Sequence, residues 1–181
     1  MTITKPCGTW ESPITSEMLV GGAVRLGEIV VDGDDVWWAE TRPDEGGRTV
    51  LVRNGTDQTD QNINVRTLVH EYGGSAWRVR NGVLVYSQYS DQRLYRLDKL
   101  GNSIPLTPEP EIQQSYRYAD GRITNNENWY VCVRELHASS AEEPSNEIVA
   151  VPLDGSVVIA KVTASPFGSV AVKEIVIALS S

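Results

Sequence analysis

The feature that most constrains the fold is a repeat with a period in the mid-forties. Apolar strand cores begin at Val36, Val83 and Trp129, at spacings of 47 and then 46 residues. A polar loop and a second apolar stretch follow each core: Thr49–Val52, Arg93–Leu97 and Glu147–Val151. The later units align further, Leu94-Tyr95-Arg96-Leu97-Asp98 with Gly101 matching Ile148–Leu153 with Asp154-Gly155. A period of this size with about four short strands per unit is the signature of a β-propeller blade. Strands of a sandwich also recur with turns between them, but they lack the longer period. The expected fold is therefore all-β: a partial β-propeller of about three four-stranded antiparallel blades.

Turn chemistry supports the strand reading. Ala76–Arg80 and Val83–Tyr86 flank Asn81-Gly82, which supplies the two positive φ angles of a type I′ hairpin. Ahead of the third core, Ala119–Arg122 and then Asn125–Asn128 read as a strand with turn chemistry at both ends, at Asp120-Gly121 and at 125–128. Helical periodicity is nearly absent. The best helix candidate is Ser12–Leu19, with Ser12 and Pro13 at its start.

At this period, 181 residues hold fewer than four blades, whereas propellers close with four or more. The expected division is an N-terminal extension at 1–23, a partial propeller at 24–155 with blades at roughly 24–64, 65–115 and 116–160, and a divergent tail at 156–181. The end blades would leave apolar faces unmet. The chain is thus expected to be part of a longer protein or to associate with itself. The tail lacks the Asp-Gly and Asn-Gly punctuation of the preceding units. Two readings stand for it: last strands of the third blade plus an extra one, or a tail from a shifted frame.

Charge and composition exclude several functions. A net charge of −8 and a pI near 4.8 repel phosphate backbones, so no nucleic-acid partner is expected. No apolar run approaches a membrane span, and the start of the chain lacks the apolar core of a signal peptide. Cys7 and Cys132 read as reduced thiols, and the localisation expected is cytoplasmic. No dinucleotide or phosphate-loop motif occurs, so no cofactor is expected.

The most chemical stretch is His70-Glu71-Tyr72-Gly73-Gly74-Ser75. Read as an extended segment, it puts His70 and Tyr72 on one face and Glu71 on the other, so histidine and carboxylate do not pair. The other histidine, His137, near Cys132, does not complete a zinc set, and no metal is expected. Gly73 and Gly74 instead suit a blade junction, with Tyr72 and Trp77 packed beside it. Arg66, His70, Glu71 and Tyr72 are candidates for contact with a substrate or a domain interface. Asp32, Asp34 and Asp35 read as a solvated turn, lacking the later glutamate of a calcium loop. Trp37, Trp38, Trp77 and Trp129 read as blade packing.

Several motifs occur together in order. These are Pro6–Ile14, Val24–Glu28, Trp38–Arg48, Val65–Thr67 with His70–Gly74, Asp91–Tyr95, Tyr118–Gly121 and Asn146–Gly155. Over about residues 6–155 the chain resembles the N-terminal propeller of prolyl oligopeptidase family serine peptidases, in their acylaminoacyl-peptidase and dipeptidyl-peptidase-like branch. The resemblance implies a propeller that gates a Ser/His/Asp site in an α/β-hydrolase domain and helps to select short peptides. The chain has no Gly-x-Ser-x-Gly nucleophile elbow; Gly73-Gly74-Ser75-Ala76-Trp77 fails at its fifth position. The chain alone is expected to be non-catalytic. The alternatives are a stand-alone protein-binding module and an inert product of a truncated gene.

Overall fold

The computed structural model describes residues 4, 6–9, 12–20, 22–98, 100–137, 143–164 and 170–177. Trp10 and Glu11, within the first motif, lie outside them. The architecture is all-β, with one short α-helix, α1 (Ser16–Val20), among the described residues. This helix starts later than the sequence suggests. The Thr15 hydroxyl, not Ser12, accepts from the helical N–H of Met18, while the Ser12 hydroxyl accepts from Ile14 in a separate turn.

Three antiparallel meanders follow. The first is β1 (Arg25–Asp32), β2 (Asp35–Arg42), β3 (Arg48–Arg53) and β4 (Thr56–Asp57). The second is β5 (Trp77–Arg80), β6 (Val83–Ser87), β7 (Leu94–Leu97) and β8 (Ser103–Pro105). The third is β9 (Tyr116–Ile123), β10 (Trp129–Leu136), β11 (Ser145–Pro152), β12 (Val158–Ala164) and β13 (Val170–Ile177). The third sheet carries five strands. Val158–Ala164 pairs with β11, and Val170–Ile177 adds outside it.

The sheets pack face to face, as alternation along their strands dictates. In β2, Trp37 and Ala39 turn inward and meet Trp77, Val79, Leu84 and Tyr86 across the first interface, with Leu51 beneath. The second interface joins Val85, Leu94 and Leu106 to Tyr118, Tyr130, Cys132 and Val149. Each large side chain buried in these layers contributes about 1.5–3 kcal/mol. The first strands lie side by side, β1 against β5 and β5 against β9. This is a segment of a ring of blades, seen from its innermost strands.

Local backbone follows residue type. Asn81 and Gly82 have φ of 48° and 77°, as the type I′ hairpin requires. Asp120-Gly121 is not a turn: it lies inside β9, where Asp120 has φ of 57° and the register with β10 slips. Gly121 is required there, because a Cβ would fall within the Tyr130 ring. The acidic Asp32–Asp35 turn is bonded rather than merely solvated. Asp32 accepts the N–H groups of Asn81 and Gly82 at 2.6 and 2.7 Å, joining the first hairpin to the second. Asp35 receives Arg53 and Asn54.

On β1 an apolar strip remains open: Leu26, Ile29 and Val31 are 66, 73 and 69% exposed. Both cysteines are free, Cys7 exposed and Cys132 buried, and burial pushes the Cys132 thiol up. No helix among the described residues is long and apolar enough to cross a membrane.

Candidate functional site

The segment from Val65 to Trp77 connects the first sheet to the second and reaches the third. Val65 donates to Thr49 and Arg66 to Ser87, so the chain leaves one sheet and enters the next within two residues. Residues 69–72 then form a turn, not the extended run expected from sequence. Glu71 N–H donates to Leu68 and Gly73 N–H to Val69, with φ of 55°, 61° and 83° at His70, Glu71 and Gly73. The alternation argument therefore fails here. Its conclusion survives on other grounds: His70 finds its carboxylate elsewhere.

That carboxylate is Glu135, near the end of β10 and only 1% exposed. Its Oε2 accepts the His70 backbone N–H at 2.5 Å and lies 3.5 Å from His70 Nδ1. Its Oε1 lies 2.6 Å from His137 Nε2. Both histidines of the chain thus converge on one buried carboxylate. Three further side chains hold the segment. Gln92 Oε1 accepts from Leu68 N–H at 2.8 Å, Arg117 Nη1 donates to the Leu68 carbonyl at 3.0 Å, and Asp120 Oδ1 accepts from Ser75 N–H at 2.9 Å. All four clamps come from the second and third sheets.

The two glycines have separate reasons. Gly73 has a left-handed φ, and a Cβ on Gly74 would stand 3.0 Å from Ala119 Cβ and from Asp120 Oδ2. Trp77 is buried in the first interface. Tyr72 does not pack beside it as expected; it is 94% exposed, because the turn carries it outward. Glu71 and His70 are also exposed, and the Arg66 guanidinium lies 5.1 Å from the centroid of the Tyr89 ring. A pocket of about 170 Å³ opens here, lined among others by Glu28, Arg66, Tyr72 and Trp77. Partial desolvation holds the Glu28 carboxyl above its ordinary value.

Chemically, the site presents one cation, one carboxylate, an imidazole and a phenol on a clamped turn. The Ser75 hydroxyl donates to the Trp77 carbonyl at 3.2 Å and faces no imidazole within hydrogen-bond reach. Among the described residues, no group of three or more His, Cys, Asp and Glu side chains could hold a metal ion. Sequence reasoning missed Gln92, Arg117, Asp120 and above all Glu135. One signal for Glu135 was present: it shares the alternation of Val131 and Val133 in β10, where a charge must find a partner.

Comparison with known proteins agrees with the architecture. The chain is 39% identical to a Mycobacterium tuberculosis puromycin-hydrolyzing peptidase, over 86% of this chain and 26% of that one, with a TM-score of 0.74. It is 30% identical to a puromycin hydrolase, over 92% of this chain and 30% of that one, with a TM-score of 0.73. A variant of puromycin hydrolase in complex with PGG matches at the same identity and TM-score, over 91% and 30%. The chain therefore spans about three tenths or less of the solved structures it matches. No family model matches it, and no curated protein matches it.

Proposed function

The chain resembles the propeller region of prolyl oligopeptidase family peptidases, and from this premise we propose that it is a non-catalytic propeller portion of such an enzyme. In the intact parent it gates access to an α/β-hydrolase domain and helps to select peptide substrates. Hydrolysis there would run through an acyl-enzyme on a serine that this chain does not supply. The observation that carries the reading is the ring-segment geometry: three meanders packed face to face with β1, β5 and β9 side by side. In this reading residues 1–23 precede the propeller, 24–155 form it, and β12 and β13 extend its last blade.

The clamped turn is the part of this surface suited to contact. Arg66, His70, Glu71 and Tyr72 are the groups offered to a peptide or to the hydrolase domain, while Gly73, Gly74 and Trp77 fix the junction behind them. An acylaminoacyl- or dipeptidyl-peptidase-like specificity and a cytoplasmic location complete the proposal. The test is a peptidase assay of the purified chain with acyl-amino-acid and dipeptidyl chromogenic substrates. No turnover above a mock-purified control is expected, and saturable hydrolysis would contradict the reading.

A second reading is a binding module completed by self-association. The open apolar strip of Leu26, Ile29 and Val31 favours it. A sharp dimer on size-exclusion chromatography would support it, and a monomer would count against it.

A further inference from the structure

A second polar site lies where the innermost strands meet, at the hairpin end of β1, β5 and β9. In β5, Trp77 and Val79 turn into the apolar layer, so Arg78 and Arg80 leave from the opposite side. On β9, Ile123 enters its own apolar layer and Arg122 precedes it. The three guanidinium-bearing residues line one concavity of about 210 Å³, with Asp32 and the apolar Val30 and Val31 of β1. A carboxylate or phosphate fits such a volume, since one water occupies about 30 Å³ in the liquid.

These arginines are not used by the fold as others are. The ion pairs of the described arginines run through Arg42, Arg48, Arg53 and Arg134. Arg122 donates to the adjacent Gly121 carbonyl at 2.8 Å. Arg80 Nε is buried without a hydrogen-bond partner. The neighbouring carboxylates are already engaged: Asp32 by the N–H groups of Asn81 and Gly82, Asp120 by that of Ser75. Glu28 interacts with Arg78 and Arg122 through space, without an ion pair among the described contacts. A buried donor left unpaired is costly, so Arg80 is not satisfied by the fold as it stands. In a chain of net charge −8, three adjacent unpaired guanidiniums are a local exception to the overall field.

We infer that Arg78, Arg80 and Arg122 form an oxyanion-binding site on the innermost strands, taking a carboxylate or phosphate group of a small molecule or short peptide. Guanidinium forks suit both, because each offers paired donors to two oxygens. The inference stands on these residues alone and does not require that the chain serve a peptidase.

Calorimetric titration of the 181-residue chain at low salt tests it, with three probes. The probes are inorganic phosphate, a tripeptide with a free C-terminal carboxylate, and the same tripeptide as its C-terminal amide. Saturable binding of phosphate or of the free acid is expected, with the amide at least about tenfold weaker than the acid if the acid is the ligand. Arg122→Gln and Arg80→Gln should each weaken binding about tenfold or more, and Arg122→Lys by less. Arg25→Gln, at the far end of β1, should leave it unchanged. Circular dichroism matching the parent chain qualifies each variant. Absence of saturable binding by phosphate and acid alike overturns the inference. So does equal binding of acid and amide without phosphate binding, or affinity unmoved by both arginine-to-glutamine changes.

Discussion

Glu135 Oε2 accepts the backbone N–H of His70 at 2.5 Å, across 65 positions of sequence. The contact ties a surface turn between the first two sheets to the second strand of the third. Glu135→Ala removes the acceptor from His70 and the partner from His137, and leaves donors facing an apolar gap. A loss of roughly 3 kcal/mol is expected in urea unfolding. Limited proteolysis should then cut first within residues 68–73. A variant with parent stability and an unchanged cleavage pattern would show that the clamp does not hold the turn.

The Gly121–Tyr130 contact predicts a severe and correctable defect. Gly121→Ala drives a Cβ into the Tyr130 ring and should cost about 3 kcal/mol. Adding Tyr130→Leu should recover part of that loss, since neighbouring changes couple. Strict additivity in the double-mutant cycle would refute the close approach.

Acid sensitivity follows from two ion-paired groups. Desolvation raises the Glu147 carboxyl, but hydrogen bonds from Arg134 and Lys161 outweigh it and hold it below the ordinary range. Hydrogen bonds from Trp38 and Arg42 lower Glu40 in the same direction. Carboxyls with lowered folded values contribute stability above the ordinary carboxyl range. That contribution is lost as pH falls through their folded values. Thermal stability should therefore drop below about pH 4.5, and Glu147→Gln should flatten that limb. Glu28 has the opposite sign. Its raised value favours folding when protonated, and that contribution fades as pH rises through its folded value. Glu28→Gln should not destabilise the chain at pH 7.

The open strip predicts behaviour in solution. Ile29→Lys with Val31→Lys places charge on positions that are largely exposed, so stability should change by no more than about 0.5 kcal/mol per site. Concentration-dependent association on light scattering should fall. Unchanged association would place the contact elsewhere.

The blade pattern was legible because it rests on local rules. Of the four tryptophans read as blade packing, Trp37 and Trp77 are buried while Trp38 and Trp129 are half-buried, and Asn81-Gly82 wrote its own hairpin. The turn at His70-Glu71 was not legible, because neither residue advertises a positive φ and the clamps that impose it lie on other sheets. The fifth strand, β13, was also ambiguous. An apolar run of this kind reads equally as an edge strand or as a tail until a partner strand is found. Asp120-Gly121 carried turn chemistry that the fold spends on a bulge. In each case the deciding contact is non-local.

The claim that this ring segment belongs to a longer peptidase is tested most directly at the nucleotide level. Reading the coding DNA beyond codon 156 in all three frames should reveal further blade-like repeats and a Gly-x-Ser-x-Gly elbow downstream. A clean stop followed by no such sequence in any frame would contradict the account.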